Sequence, residues 1–181
     1  MKKLSVIFSG LVCLGFIGNA CAHGTKPLKV EETIVVNQLP EAVWKIVGDF
    51  GKAETWMPMV THSNAQGGNT VGATRELKLK SGAVIKEELK SYDGAKMNFK
   101  YRINQVDPIT ALPVNGVLNA SLSVEADGSG AKVIWSSGRF YRSWQRQDTP
   151  PPDQSDAAAE TAMKSFFKES LDHLKEMVSR P

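Results

Sequence analysis

The hydrophobic residues near the end of the chain repeat with the period of a helix. Over 156–179 apolar side chains recur at spacings of three and four, so they share one helix face, and charged side chains fall mainly on the other. Pro150 to Pro152 cannot lie inside a helix and bound it upstream, while Ser155 or Asp156 can cap its first turn. The pattern therefore predicts one long amphipathic helix. Its predicted apolar face consists of Ala159, Met163, Phe166, Phe167, Ser170, Leu171, Leu174, Met177 and Val178.

Upstream of this helix the apolar positions alternate, which is typical of strands. A β-branched strand is predicted over Val30–Val36, followed by two short helices that begin at Pro40 and near Asp49 and by extended chain over Met59–Asn64. Five more segments of strand length follow, separated by turns rich in Gly and Asp. These predicted strands are Val71–Lys80, Ala83–Tyr92, Lys96–Asn104, Gly116–Glu125 and Ala131–Tyr141.

The order of the elements predicts an α+β fold. Strands in succession, with helices segregated at the ends, are typical of this class, and short turns favour antiparallel neighbours. We expect a curved antiparallel sheet of about seven strands to wrap the C-terminal helix. The space between sheet and helix is predicted to be a ligand cavity; the alternative is that it is filled core.

Alternation places two charged residues on the inner face of the sheet. Arg75 shares a face with Leu77 and Leu79, and Glu87 shares a face with Ile85, while the lysines and glutamates between them point outwards. If Leu79 lies opposite Ile85, Leu77 lies opposite Glu87 and Arg75 is its diagonal neighbour. Since burying an unpaired charge is costly, Arg75 and Glu87 are predicted to pair. The pair is then a structural ion pair, a polar anchor in a ligand pocket, or a catalytic acid–base group.

The later strands and the C-terminal helix supply the rest of the predicted interior. Tyr101 and Trp135 each need a hydrogen-bond partner if buried, and they are either core residues or pocket lining. The candidate cavity-lining residues are Arg75, Leu77, Glu87, Phe99, Tyr101, Trp135, Arg139, Phe167 and Leu171.

The segment 139–146 combines aromatic residues with arginines, a composition typical of binding hot spots in protein interfaces. The candidate partner surface is Tyr141, Arg142, Trp144 and Arg146. The alternative is a strand end and loop that pack over the helix.

The N-terminus has the pattern of an export signal. Two lysines precede an apolar run, Leu4–Ile17, that is too short to span a bilayer, and Ala20-Cys21-Ala22 has the small-residue pattern of a cleavage site. We therefore predict a signal peptide over 1–22, a single domain over 23–181 and a periplasmic location. An alternative makes Cys21 a lipidated N-terminus, although Gly18 stands where such signals have a bulky aliphatic residue.

Composition narrows the possible functions. Both cysteines, Cys13 and Cys21, lie in the predicted signal, so the core must hold the mature fold without disulfides. The formal charge of +3 falls to +1 without Lys2 and Lys3, which argues against nucleic-acid binding. No second apolar run is long enough to span a membrane, so no membrane association is expected after signal cleavage.

The chemistry of a catalytic or metal site is weak in this sequence. His23, His62 and His173 do not have metal-ligand spacing, and no nucleophile, phosphate-binding or dinucleotide motif appears. We predict no catalytic residue, no metal and no cofactor.

Several motifs, taken in order, resemble a known superfamily. Trp44, Asp49-Phe50-Gly51, Trp56-Met57-Pro58 and the long C-terminal helix resemble the SRPBCC superfamily of START-like and polyketide-cyclase-like helix-grip proteins. Within it the chain is similar to the exported MxaD-type proteins of bacterial methanol oxidation. The residues that carry this second likeness are His23-Gly24 after the signal, Gly138 to Arg142, and Pro150 to Pro152 followed by Asp156-Ala157-Ala158. Met57 departs from the pattern, because many relatives carry His there, so no role of that imidazole can be transferred.

The resemblance implies two classes of function. The first is a non-catalytic accessory protein that supports quinoprotein methanol dehydrogenase or its electron transfer to cytochrome c. The second is a cyclase/dehydratase-like enzyme, or a carrier, for a hydrophobic small molecule in the helix-grip cavity. We favour the first, because the candidate catalytic groups are poor.

Overall fold

The computed structural model describes residues 26–180, so the predicted signal over 1–22 lies outside the described residues. Seven antiparallel strands form one sheet in the order β1-β7-β6-β5-β4-β3-β2, which places the first two strands at opposite edges. The strands are β1 Glu31–Val36, β2 Val60–Gln66, β3 Thr74–Leu79, β4 Val84–Asp93, β5 Asn98–Val106, β6 Leu118–Asp127 and β7 Gly130–Ser137.

The helices lie where the patterns predict them. Helix α1 spans Pro40–Val47, a single 3-10 turn spans Ala53–Thr55, and helix α2 spans Asp156–Ser179 after a second 3-10 turn at Pro152–Gln154. The Ser155 hydroxyl accepts a hydrogen bond from the Ala158 amide at 3.2 Å and so caps α2. The predicted α+β helix-grip fold is confirmed.

The predicted apolar face of α2 is buried over most of its length. Its residues from Ala159 to Leu174 are buried, whereas Met177 and Val178 at the end of the helix are only partly covered. Residues of this face and of the inner side of the sheet form a single hydrophobic core. None of the helices in residues 26–180 combines the length and apolar character that crossing a membrane requires.

The β3–β4 hairpin corrects the predicted register. Gly82 adopts a φ of 86°, and this allows a tight turn in which the Leu79 amide bonds to the Ala83 carbonyl at 2.9 Å. Leu79 therefore does not lie opposite Ile85. Arg75 lies directly opposite Glu87, not diagonal to it.

The end of β7 corrects a second prediction. The regular strand ends at Ser137. Beyond it Leu28 pairs with Phe140, one residue out of step with the Glu31–Ser136 register of β1 and β7, so the alternation of faces shifts by one residue. Phe140 is consequently buried and Arg139 is exposed. The prediction that Arg139 lines the interior is wrong.

Candidate functional site

Arg75 and Glu87 form an ion pair inside the protein. Arg75 Nε donates to Glu87 Oε2 at 2.5 Å, and each side chain is only 3% exposed. Arg75 Nη1 also donates to the Phe50 carbonyl at 2.7 Å, and the guanidinium carbon lies 4.2 Å from the centre of the Phe50 ring and 5.3 Å from that of Tyr101. The guanidinium is therefore fixed by a carboxylate, a carbonyl and two aromatic rings.

Burial raises the pKa values of two side chains in this part of the interior, Glu87 and Tyr101. Desolvation raises the pKa of Glu87, although Arg75 acts in the opposite direction through its charge and hydrogen bond. Burial, reinforced by the nearby Glu87 carboxylate, also raises the pKa of Tyr101 well above its ordinary value, so the phenol stays protonated. Each of these groups already has a partner within the protein.

Tyr101 and Trp135 satisfy each other's need for a hydrogen bond. Trp135 Nε1 donates to the Tyr101 hydroxyl at 2.9 Å. On its other side, the Trp135 ring stacks on Phe167 of α2, with 4.3 Å between ring centroids and 13° between planes. This contact joins the middle of the sheet to the helix it holds.

We call the group of rings between sheet and helix the interior aromatic cluster. Six of its members are no more than 2% exposed, and Phe166, at its edge, is 9% exposed. Side chains rather than an open cavity thus occupy the middle of the predicted ligand space. The members are Phe50, Trp56, Phe99, Tyr101, Trp135, Phe166 and Phe167.

A cleft of about 240 Å³ opens beside this cluster, between α2, the β3–β4 turn and the loop that joins β5 to β6. Phe166 borders the cleft, and its ring centroid lies 6.0 Å from that of Trp135, so it stands between the cleft and the other rings of the cluster. We call this feature the α2 cleft. Its lining residues are Met59, Leu79, Lys80, Ser81, Thr110, Ala111, Leu112, Ala162, Ser165, Phe166 and Glu169.

Two larger depressions lie on the outer face of the sheet, each of about 400 Å³. The first is spanned by the half-exposed pair Lys86 and Glu76, whose charged atoms are 3.5 Å apart, and the second is rimmed by lysines. Both lie on the solvent side of the sheet, whereas the α2 cleft is lined in part by the core residues Leu79, Leu112 and Phe166. The α2 cleft is therefore the better candidate for a site that takes up a small molecule.

Leu77 and Leu171, the remaining predicted interior residues, are both buried. Sequence reasoning named Trp56 only as part of a family motif, and it did not single out Met59 or Leu112. Leu112 stands in a loop without hydrophobic periodicity, and Met59 precedes β2, whose inner face its own sequence does not assign. No local pattern could have placed Met59 and Leu112 at one site.

The predicted partner surface divides into two parts. Arg142 is buried, with its Nε donating to the Trp144 carbonyl at 2.9 Å and its Nη1 to Asp156 at 3.1 Å, so its prediction as a surface residue is wrong. Tyr141 and Trp144 remain partly exposed, and the Arg146 guanidinium lies 5.2 Å from the centre of the Trp144 ring. Arg142 thus anchors the segment that presents the other three side chains.

Residues 26–180 contain no group of three or more His, Cys, Asp or Glu side chains that could hold a metal ion. No curated protein matches the chain.

Solved structures share the fold at low sequence identity. XoxI from Bacillus cereus is 21% identical with a TM-score of 0.67, covering 82% of this chain and 94% of its own. The Zhui aromatase/cyclase from Streptomyces sp. R1128 is 15% identical with a TM-score of 0.68, covering 86% and 95% respectively. Major latex-like protein 151 from Panax ginseng is 12% identical with a TM-score of 0.64, covering 85% and 99%. These likenesses establish the fold only.

The sequence itself matches a family, over nearly all of the described residues. The model of the family described as polyketide cyclase / dehydrase and lipid transport matches residues 27–178. The match runs from the segment before β1 to the last turn of α2, and so includes the interior aromatic cluster and the α2 cleft. The chain therefore belongs to the polyketide cyclase/dehydrase and lipid transport family of the SRPBCC superfamily.

Proposed function

We propose that this protein is a non-catalytic binding protein that takes up a small hydrophobic molecule through the α2 cleft. The observation that carries the proposal is a cleft that is open to solvent and bordered by Phe166, the edge member of the interior aromatic cluster. Its volume, about 240 Å³, is below the roughly 300–1,000 Å³ of pockets for drug-sized ligands. The site therefore suits a small ligand, or a larger one that displaces Phe166.

The interior polar groups support binding rather than catalysis. Glu87 is engaged by Arg75, Arg75 also donates to the Phe50 carbonyl, and the Tyr101 hydroxyl accepts from Trp135. A general base must be able to reach and accept the proton of a substrate. Here the carboxylate that could do so is neutralised by a guanidinium fixed on several sides.

A bulky side chain at the α2 cleft is expected to block uptake. Ala162 is half-buried in the cleft wall, so Ala162→Trp fills the space at little cost to the fold. We expect at least a tenfold loss of affinity for ethylnaphthalene, a neutral aromatic probe, because the variant displaces the apolar contacts of the ligand. Isothermal titration calorimetry measures this change.

The matched control is Ala157→Trp, an exposed position on the same helix outside the cleft, which should leave probe affinity unchanged. If the unsubstituted protein bound neither ethylnaphthalene nor its ketone analogue acetylnaphthalene, the proposed function would be wrong. Equal affinities of the unsubstituted protein and Ala162→Trp would place binding elsewhere on the molecule.

A more specific role follows from the resemblance to MxaD-type proteins. In that role the signal over 1–22 directs the protein to the periplasm, where it supports quinoprotein methanol dehydrogenase or its electron transfer to cytochrome c. The surface formed by Tyr141, Trp144 and Arg146 supports this proposal, because a partly exposed Trp that stacks with an Arg is typical of binding hot spots. Arg142 and Asp156 hold the segment in place beneath it.

We expect the double variant Tyr141→Ala/Trp144→Ala to bind purified methanol dehydrogenase or cytochrome c at least tenfold more weakly, because it removes the aromatic contacts. Ile109→Ala is the control, since Ile109 is an apolar side chain that is 82% exposed at a different loop. Surface-immobilised binding measurements give the affinities, and thermal unfolding checks that the variants are folded. Unchanged binding of the double variant to either protein would rule out this docking surface.

A further inference from the structure

Trp56 differs from the other tryptophans in the bonding of its indole N–H. Trp135 donates to Tyr101, Trp144 donates to a surface aspartate, and Trp44 is partly open to solvent. Trp56 is only 1% exposed, and no group in residues 26–180 accepts a hydrogen bond from its Nε1. Its one polar atom is thus buried without a protein partner.

Such a group calls for an explanation, because most buried donors in proteins are paired and an unpaired donor destabilises the fold. The other buried atoms without a protein partner belong to side chains that are only partly buried or that already form hydrogen bonds through other atoms. Glu54 and Ser63 are half-buried residues, and the Arg142 guanidinium already donates two hydrogen bonds. Trp56 has no other polar side-chain atom through which to recover hydrogen bonding.

The position of Trp56 connects it to the α2 cleft. Its ring centroid lies 5.2 Å from that of Trp135, and Trp135 in turn lies 6.0 Å from Phe166, which borders the cleft. The backbone holds the residue in place, because His173 Nδ1 of α2 donates to the Trp56 carbonyl at 3.1 Å. The unpaired N–H therefore belongs to a fixed residue two rings behind the cleft.

We propose that Trp56 Nε1 is the polar anchor of the ligand site and donates a hydrogen bond to an oxygen acceptor of the bound molecule. The ligand enters through the α2 cleft and reaches Trp56 when Phe166 turns aside. This inference rests on the proposed binding function and adds the chemical class of the ligand.

The surroundings define that class as an uncharged, mainly apolar molecule with a carbonyl or ether oxygen. Trp56 supplies one neutral donor among aromatic rings, which suits a single neutral acceptor. A carboxylate ligand would need a counter-charge in the interior. The buried Arg75 is already committed to Glu87, so such an anion would be desolvated without compensation.

Two probes of similar size test the proposal, acetylnaphthalene with a ketone oxygen and ethylnaphthalene without one. We expect the unsubstituted protein to bind the ketone about threefold to tenfold more tightly, the effect of one net hydrogen bond. Trp56→Phe keeps an aromatic ring but removes the donor, so it should bind both probes equally. Trp44→Phe, a substitution on α1 at a ring that does not line the cleft, should retain the preference for the ketone.

Heteronuclear NMR on the unsubstituted protein gives a second readout that needs no variant. The Trp56 indole N–H resonance should move downfield with acetylnaphthalene and much less with ethylnaphthalene. Equal affinities for the two probes, together with an unshifted indole resonance, would overturn the role of Trp56 while leaving the binding function intact. Failure of both probes to bind would overturn the binding function and this inference together.

Discussion

Arg75→Ala is expected to lower the free energy of unfolding by about 3–5 kcal/mol, because it leaves the Glu87 carboxylate buried without its cation. It also removes the donor to the Phe50 carbonyl and the contacts of the guanidinium with two aromatic rings. Replacing both charges with apolar residues, as in Arg75→Met/Glu87→Leu, should cost much less, since no unpaired charge remains. Denaturant unfolding measures both changes.

The neighbouring pair Lys86 and Glu76 is a matched control on the same two strands. Its side chains are 50% and 46% exposed, so Lys86→Ala should cost less than about 1 kcal/mol. A loss for Arg75→Ala as small as that for Lys86→Ala would show that the inner pair does not stabilise the fold. A double apolar variant that loses as much as Arg75→Ala would assign the loss to packing instead of to an unpaired charge.

Phe167→Ala is expected to lower the free energy of unfolding by about 3–5 kcal/mol, because it removes a buried ring and leaves a closed cavity. The side chain is 1% exposed and stacks on Trp135, so its loss also weakens the contact between α2 and the middle of the sheet. Denaturant unfolding followed by tryptophan fluorescence is a suitable measurement, since Trp135 lies against the deleted ring.

The adjacent Phe166→Ala supplies the control for this effect. Phe166 borders the α2 cleft, so the space vacated by its ring joins the cleft and is open to water. Its loss should therefore be clearly smaller than that of Phe167→Ala. Equal losses would mean that the two rings contribute alike to the core and that Phe166 does not separate the cleft from the interior.

The sequence alone predicted the pairing of Arg75 with Glu87, but not the details of its surroundings. Alternation in β3 and β4 placed Arg75 and Glu87 on the inner face, and the cost of a buried charge predicted that they pair. The direct register between them depends on the turn at Gly82, where a positive φ shortens the hairpin loop. Tertiary contacts placed the Phe50 carbonyl and ring against the guanidinium, and these partners are 25 residues away in the chain.

The wrong predictions for Arg139 and Arg142 have a common physical cause. Arg139 and Arg142 follow a strand whose sequence continues to alternate, so the pattern could not show that the pairing shifts by one residue after Ser137. Past that point Phe140 pairs with Leu28 and Arg142 pairs with Val114, and Phe140 and Arg142 turn inwards in place of Arg139. Local alternation holds only while a ladder of hydrogen bonds maintains it.

What the amino-acid sequence determined by itself is the set of elements, their order and the buried face of each, because helix and strand periodicity are local and hydrophobic burial follows them. Only the tertiary structure decided what fills the space between sheet and helix. The rings of Trp56, Trp135 and Phe167 pack against each other, and Phe166 borders a cleft. Both outcomes depend on packing between segments that are far apart in the chain. Periodicity carries no information about that packing, which is set by side-chain shape and by the curvature of the sheet.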